Sequence, residues 1–191
     1  VESVTTTMPQ TTYNELLLQR DGARFRWEQF GNSDLTLQDI DGNEVLKTVR
    51  LGIECGRMPE DTGNDVPVIM EKFGLMRDGI LNHAAAVLFG KHENMEYPQC
   101  LLRLARFRGT DKAVFMDNQR IHGNFFQLLN AAMAFIFKHL SLSGTTDTLE
   151  REEHLTIPYK AIREGVLNSL AHRSYRDAGG SVSIAIYDNR V

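Results

Sequence analysis

The sequence predicts an α+β fold: a helical subdomain, a strand pair with a packed helix, and the opening helix and strand of a further, incomplete α/β unit. Three observations carry this expectation. Apolar residues recur at helical spacing between 41 and 89 and again between 125 and 140. Two strand-like runs, Cys100 to Phe107 and Ala113 to Ile121, flank a Gly109-Thr110-Asp111-Lys112 turn. A third run, Ser181 to Tyr187, alternates polar and apolar residues as a half-buried strand does.

The 191 residues are 42% hydrophobic and 24% charged, close to ordinary globular usage. That excludes a wholly disordered chain, a collagen-like fibre and a disulfide scaffold. A chain of this length can bury roughly 70% of its unfolded surface and needs no metal or disulfide staple. The net charge is −4 and the pI about 5.9, so any nucleic-acid binding must come from a local patch. Cys55 and Cys100 lie far apart, without CxxC or paired-histidine spacing; they are expected to be reduced, partly buried thiols, which favours the cytoplasm. No run approaches the ~18 apolar residues of a membrane span. Val1 is not a methionine and Val191 closely follows a strand-like stretch, so the chain is expected to be an excerpt of a longer protein.

Taken in order, Val1 to Met8 reads as an extended tail. Thr12-Tyr13-Asn14-Glu15 has capping-box spacing and should open a helix running to about Arg20. Phe25, Trp27 and Phe30 interleave with Arg24 and Arg26, a pattern that can line a nucleic-acid surface; in so short a segment, packing on a neighbour is the expectation. Residues 31–65 hold eight acidic residues against Lys47, Arg50 and Arg57. Asp41 through Met58 reads as a helix with Val45, Val49, Gly52 and Ile53 along one face. Asp65 can cap a short helix with Pro67 near its first turn and Gly74 at its end. Leu75 to Gly79 is a turn or short strand, and Leu81 to Phe89 an alanine-rich helix closed by Gly90. Three short helices suit a winged-helix or helix-turn-helix subdomain, but the acidity of the stretch argues against a recognition helix.

Arg103, Arg106, Arg108 and Lys112 make the strand pair the most basic local stretch. They fall on both faces of the strand, which reads as a solvated edge more readily than as a phosphate-tracking stripe. Phe125, Leu128, Leu129, Ala132, Ile136 and Leu140 then mark a core-facing helix. Ser141 to Thr148 is polar, holds Gly144, and is placed as a domain boundary. Beyond it, Pro158 suits the first turn of a helix that buries Ile162, Val166 and Leu170. Glu164 and Asn168, four residues apart, project from one side of that helix and His172 continues the line. Ala178-Gly179-Gly180 forms the loop before the last strand.

The run Glu164-Gly165-Val166-Leu167-Asn168-Ser169-Leu170-Ala171-His172-Arg173-Ser174-Tyr175, followed by Gly179-Gly180-Ser181-Val182-Ser183-Ile184, resembles the N-box helix and next strand of a divergent GHKL-type (Bergerat) ATP-binding module. More narrowly, it resembles the C-terminal module of the bacterial RecG-like transcriptional regulators, in many of which an AlbA-like, Schlafen-related DNA-binding domain comes first. The run from Asp78 to Gly90 and that from Arg106 to Lys112 are similar to stretches linking the two modules, and Val1 to Gln19 is similar to the tail of the AlbA-like domain. The resemblance implies residues 1–30 as that tail, 31–143 as a linking region, and 149–191 as the N-terminal part of the ATP-binding module.

By this resemblance, Asn168 is the ligand for the Mg2+ that bridges the nucleotide phosphates, and Glu164 is the base for an attacking water. Both roles suit the chemistry: an amide oxygen is a hard neutral ligand, and a carboxylate one turn away can reach a water in line with the terminal phosphate. His172 and Arg173 either contact phosphate or cap the helix end. The chain ends before any Asp-x-Gly-x-Gly adenine-binding motif, and Asp188 carries no mark of one. No GxxxxGK[ST] phosphate loop is present. Three readings follow. The first is a fragment of a DNA-binding transcriptional regulator with ATP as switch ligand, the DNA being held mainly upstream. The second is a slow ATPase in DNA transactions, active in the complete protein and not in the excerpt. The third is a non-catalytic homodimer scaffold built on the apolar helix from Asn124 to Leu140.

Overall fold

The computed structural model describes residues 8–10, 12–13, 26–91, 97–140, 142–145, 152–155 and 157–191. The chain is α+β. Its elements run α1 (Gly42–Glu54), α2 (Val66–Lys72), β1 (Met76–Arg77), β2 (Ile80–Leu81), α3 (His83–Phe89), β3 (Leu101–Arg108), β4 (Val114–His122), α4 (Phe125–His139), β5 (Leu142–Thr145), β6 (Glu152–Leu155), α5 (Tyr159–Ala171) and β7 (Val182–Ile186). A three-stranded sheet in the order β4-β3-β7 stands beside two small hairpins, β1-β2 and β5-β6.

Residues 26–100 are shaped by signals a few positions apart. The Asp41 carboxylate accepts from the N–H groups of Asn43 and Glu44 at 3.1 and 3.2 Å, occupying donors that α1 leaves open at its start. Val45 and Val49 then face the core. α1 stops at Glu54, short of the Met58 that the apolar spacing suggests. Gly56 takes φ +65°, its N–H reaches the Ile53 carbonyl, and the Arg57 N–H reaches the Gly52 carbonyl at 2.8 Å, which closes a Schellman turn. α2 ends in the same way: Gly74 has φ +67°, and Leu75 N–H donates to Met70 at 2.9 Å. Asp65 holds the N-cap of α2 without a side-chain hydrogen bond. The Asp78-Gly79 pair, both at positive φ, turns β1 into β2, the arrangement a two-residue hairpin turn requires. Ala85, Ala86, Val87 and Phe89 of α3 are all buried, so the third helix has no face to lay in a DNA groove.

Residues 101–191 are assembled by distant partners. β3 pairs antiparallel with β4, Leu101 opposite His122, and parallel with β7, Leu102 opposite Val182. Leu102 and Leu104 point to the side covered by α4 and α5, where they meet Leu128, Ile136, Val166, Leu170 and Ile186. This cluster draws on residues both before and after the 141–148 stretch, whereas a first cluster runs from Leu35 to Cys100. Burying side chains such as Leu104 and Leu170 contributes about 1.5–3 kcal/mol each. α4 opens on a reciprocal capping box between Asn124 and Gln127 and buries six side chains within the chain. Most of its apolar stripe is thus packed in the chain's own core, while Phe137 stays exposed.

Some expectations meet other outcomes. Gln10, Thr12 and Tyr13 are already helical, so Thr12 does not start that helix; its remainder lies outside the described residues, as do Arg24 and Phe25. Trp27 does pack on a neighbour, stacking on His83 at 4.3 Å and 8°. Residues 142–145, expected as linker, pair as a strand with 152–155. Cys100 is buried, but Cys55 is exposed. Among the described residues no helix is long and apolar enough to cross a membrane.

Candidate functional site

The helix that carries the candidate residues is set by its sequence. Pro158 stands at the N-cap, where its missing N–H costs nothing. Ile162, Val166 and Leu170, spaced by four, hold one stripe of α5 against the core. Glu164, Asn168 and His172 occupy another stripe and are exposed. The Asn168 amide donates to the Glu164 carboxylate at 3.2 Å. The amide oxygen of Asn168 accepts no hydrogen bond from a described residue, and is open to an outside ligand. His172 is the C-cap and gives its backbone N–H to the Asn168 carbonyl at 2.9 Å, while its ring stays exposed.

Arg173 goes elsewhere. Its guanidinium donates to the Gln99 carbonyl, to the Gly180 carbonyl at 2.9 Å and to the Asp177 carbonyl at 3.2 Å, and lies 5.1 Å from the centre of the Tyr175 ring. Three carbonyls from the segment before β3 and the loop before β7 take three of its five N–H donors, so the guanidinium ties those two segments to the end of α5. A Cβ at Gly180 would stand 3.0 Å from a guanidinium nitrogen of Arg173, so the glycine lets the two approach closely. Beneath this junction, burial pushes the Cys100 thiol up to about 12, and burial likewise pushes the Tyr175 hydroxyl up to about 12. Tyr175 donates to the Leu170 carbonyl at 2.9 Å. Both groups are neutral near pH 7 and serve the packing.

The carboxyl ends of the parallel strands β3 and β7 form a second polar group that the sequence does not reveal. Asp188 accepts from Arg106 at 2.6 Å and from the Gly109 N–H at 2.6 Å. The Arg106 hydrogen bond, then the Gly109 one, hold its carboxyl below the usual range. Arg106 also donates to the carbonyls of Phe107 and Ile186. These partners are about 80 residues apart, so only the strand pairing brings them together. A cavity of about 330 Å³ opens beside them, lined by His139, Tyr187 and Arg190. Another, about 310 Å³ and apolar, lies between α5 and β7 against Ile162, Gly165 and Ala185. Asp117 on β4 makes a third group, accepting from Lys138 and His139 at 2.8 Å each.

Among the described residues no group of three or more His, Cys, Asp or Glu is placed to hold a metal ion. The Asn168 oxygen and the Glu164 carboxylate therefore fit only a Mg2+ that arrives with its own phosphate oxygens and waters, which is how that ion is commonly held.

No protein-family profile matches the sequence, and no curated protein matches it. A crystal structure of the DIP2311 protein from Corynebacterium diphtheriae, a structural-genomics target, is similar in fold, with a TM-score of 0.61 at 13% identity. The match covers 87% of this chain and 32% of that one, so the chain spans about a third of that protein's length. At this identity the likeness shows the fold alone.

Proposed function

We propose that the chain is part of a cytoplasmic bacterial transcriptional regulator of the RecG-like kind, in which α5 belongs to a module that binds Mg-ATP as a switch ligand. The observation that carries this is the Glu164–Asn168 pair, exposed, one turn apart and joined at 3.2 Å on a helix whose opposite stripe is buried. A bound Mg-nucleotide would supply the phosphate charge that the pair meets. Asn168 would offer its open amide oxygen, and Glu164 would hold a water beside it. Glu164 engages the Asn168 amide nitrogen, which leaves the amide oxygen as the acceptor for the ion. A ligand that binds one arrangement of the module better than another shifts its population, and DNA held by an upstream domain would register the shift.

Calorimetric titration of Mg-ATP into the protein, with Asn168→Ala alongside, tests this. Affinity should fall at least tenfold, about 1.4 kcal/mol, with the fold intact because the side chain is exposed. Unchanged affinity removes Asn168 from the site, and no binding by the unaltered protein removes the reading. The exposed Glu164 carboxylate favours a second reading, slow hydrolysis. Glu164→Gln should then lose turnover while binding persists.

A further inference from the structure

Among the described residues, helices cover one face of the β4-β3-β7 sheet and none covers the other. Register places Arg103 of β3 directly opposite Arg120 of β4 on the open face, with Ala105 opposite Asn118 and Leu101 opposite His122. Arg103, Asn118, Arg120, His122 and, on β7, Ser183 are all exposed. Like charges directly opposite one another, with Cβ atoms about 5 Å apart, weaken a strand pair. Neither arginine has an ion pair or a side-chain hydrogen bond among the described residues. The alternate positions that look this way from the three strands include no aspartate or glutamate. Arg106, the next basic residue of β3, points to the other side and is tied to Asp188.

An aromatic residue stands at the end of the same face. A bulge between Arg106 and Phe107 sets Phe115 opposite Phe107, and their rings lie 4.5 Å apart. Phe107 is buried and stacks in turn on Tyr187 at 5.1 Å, so Phe115, 57% exposed, rests on a fixed aromatic base. The unopposed positive charge, the neutral hydrogen-bonding residues between, and one supported exposed ring share one face of the sheet.

We infer that this open face binds a single-stranded nucleic acid, its phosphates over Arg103 and Arg120 and a base stacked on Phe115. Charge complementarity selects a polyanion. The exposed ring selects bases over an acidic peptide, because a peptide carboxylate gains nothing from an aromatic face. A duplex keeps its bases stacked inside and would leave Phe115 unused. The inference does not rest on the nucleotide reading, since no residue of α5 takes part.

Fluorescence anisotropy of a labelled single-stranded oligonucleotide with the protein, across a salt series, is the test. Arg103→Ala/Arg120→Ala should lower the slope of log K against log salt by about 1.4, from two phosphate contacts, and weaken binding at least tenfold at low salt. Phe115→Ala should weaken binding about five- to a hundredfold with the slope unchanged. Melting temperatures serve as the control, and the arginine pair variant should melt no lower than the parent because a like-charge contact is gone. Absence of binding, binding that the arginine variant leaves unchanged, or tighter binding of the duplex overturns the inference. So does polyglutamate binding that the arginine variant loses and Phe115→Ala leaves alone, which would assign the face to an acidic protein partner.

Discussion

Residues 26–100 and residues 101–191 each bury a core, but the contacts that finish them differ in reach. In the first, helices stop where Gly56 and Gly74 take positive φ and start where Asp41 and Asn82 cap them, so the helix ends are set within a few residues, although Asn32 also reaches Tyr97 and Trp27 stacks on His83. In the second, the finishing contacts join segments about 75 to 80 residues apart: Arg173 with the Gln99 carbonyl, Arg106 with Asp188, Arg190 with the Thr110 carbonyl at 2.8 Å. Local closure fixes a shape early and cheaply in loop entropy, while distant closure waits for the whole sheet. The candidate site and the open basic face both sit in the second kind of structure. Their geometry therefore depends on contacts that can be removed one at a time.

Arg173 gives the largest expected effect. Arg173→Ala should destabilise the chain by about 1.5–3 kcal/mol, because hydrogen bonds from a charged donor to several carbonyls are lost together. Arg173→Lys should not restore it, since an ammonium cannot span three acceptors that a planar fork reaches. Urea unfolding of the three proteins measures this, and a lysine variant as stable as the parent would show the contact to be one charge and not a clamp.

Gly74→Ala should cost less, about 1–2 kcal/mol, from placing a Cβ in the left-handed region at φ +67° with no neighbour within 4 Å to clash. The penalty is local, so hydrogen exchange should rise around α2 and the β1-β2 turn and stay level across the β3-β7 pair. Equal loosening of both would collapse the distinction between the halves.

The same difference in reach decides what could be read in the sequence. Capping and turn residues act within three or four positions, so Asp41, Gly74 and the Pro158 start of α5 are legible as residue types at spacings, and the Asn124–Gln127 box carries the same kind of signal, which the apolar spacing of that helix overshadows. Gly56 carried the signal for the end of α1, but helical spacing that continues to Met58 overran it. Nothing in Leu102 or Val182 names the other as a parallel neighbour, because a strand pattern specifies a face and not a partner. For that reason Arg103, Arg106, Arg108 and Lys112 read as spread over both faces. Pairing separates Arg103, opposite Arg120, from Arg106, which lies opposite Ile186 and ion-pairs with Asp188 just beyond the end of β7. Likewise the stripe of Glu164 and Asn168 was legible from a four-residue spacing, while the turn of Arg173 toward Gln99 required the fold.

Acid sensitivity sets a local carboxylate against a distant one. Asp39 is held below its ordinary 3.8 by the hydroxyl and the N–H of Thr36, three residues earlier. Asp117 is held at about 2, first by Lys138, then by His139, which tie β4 to the last turn of α4. A carboxyl whose folded value lies below its unfolded one contributes stability above the unfolded value, and the contribution disappears as pH falls through the folded value. For Asp117 that window runs from about pH 4 down to about 2. Asp117→Asn should therefore flatten the fall of the urea midpoint between those limits while leaving the slope near neutrality alone. Asp39→Asn should flatten it less, because a partner three residues away is partly kept in the unfolded chain. If the two variants flatten the acid limb equally, the reach of a contact does not govern its linkage to folding.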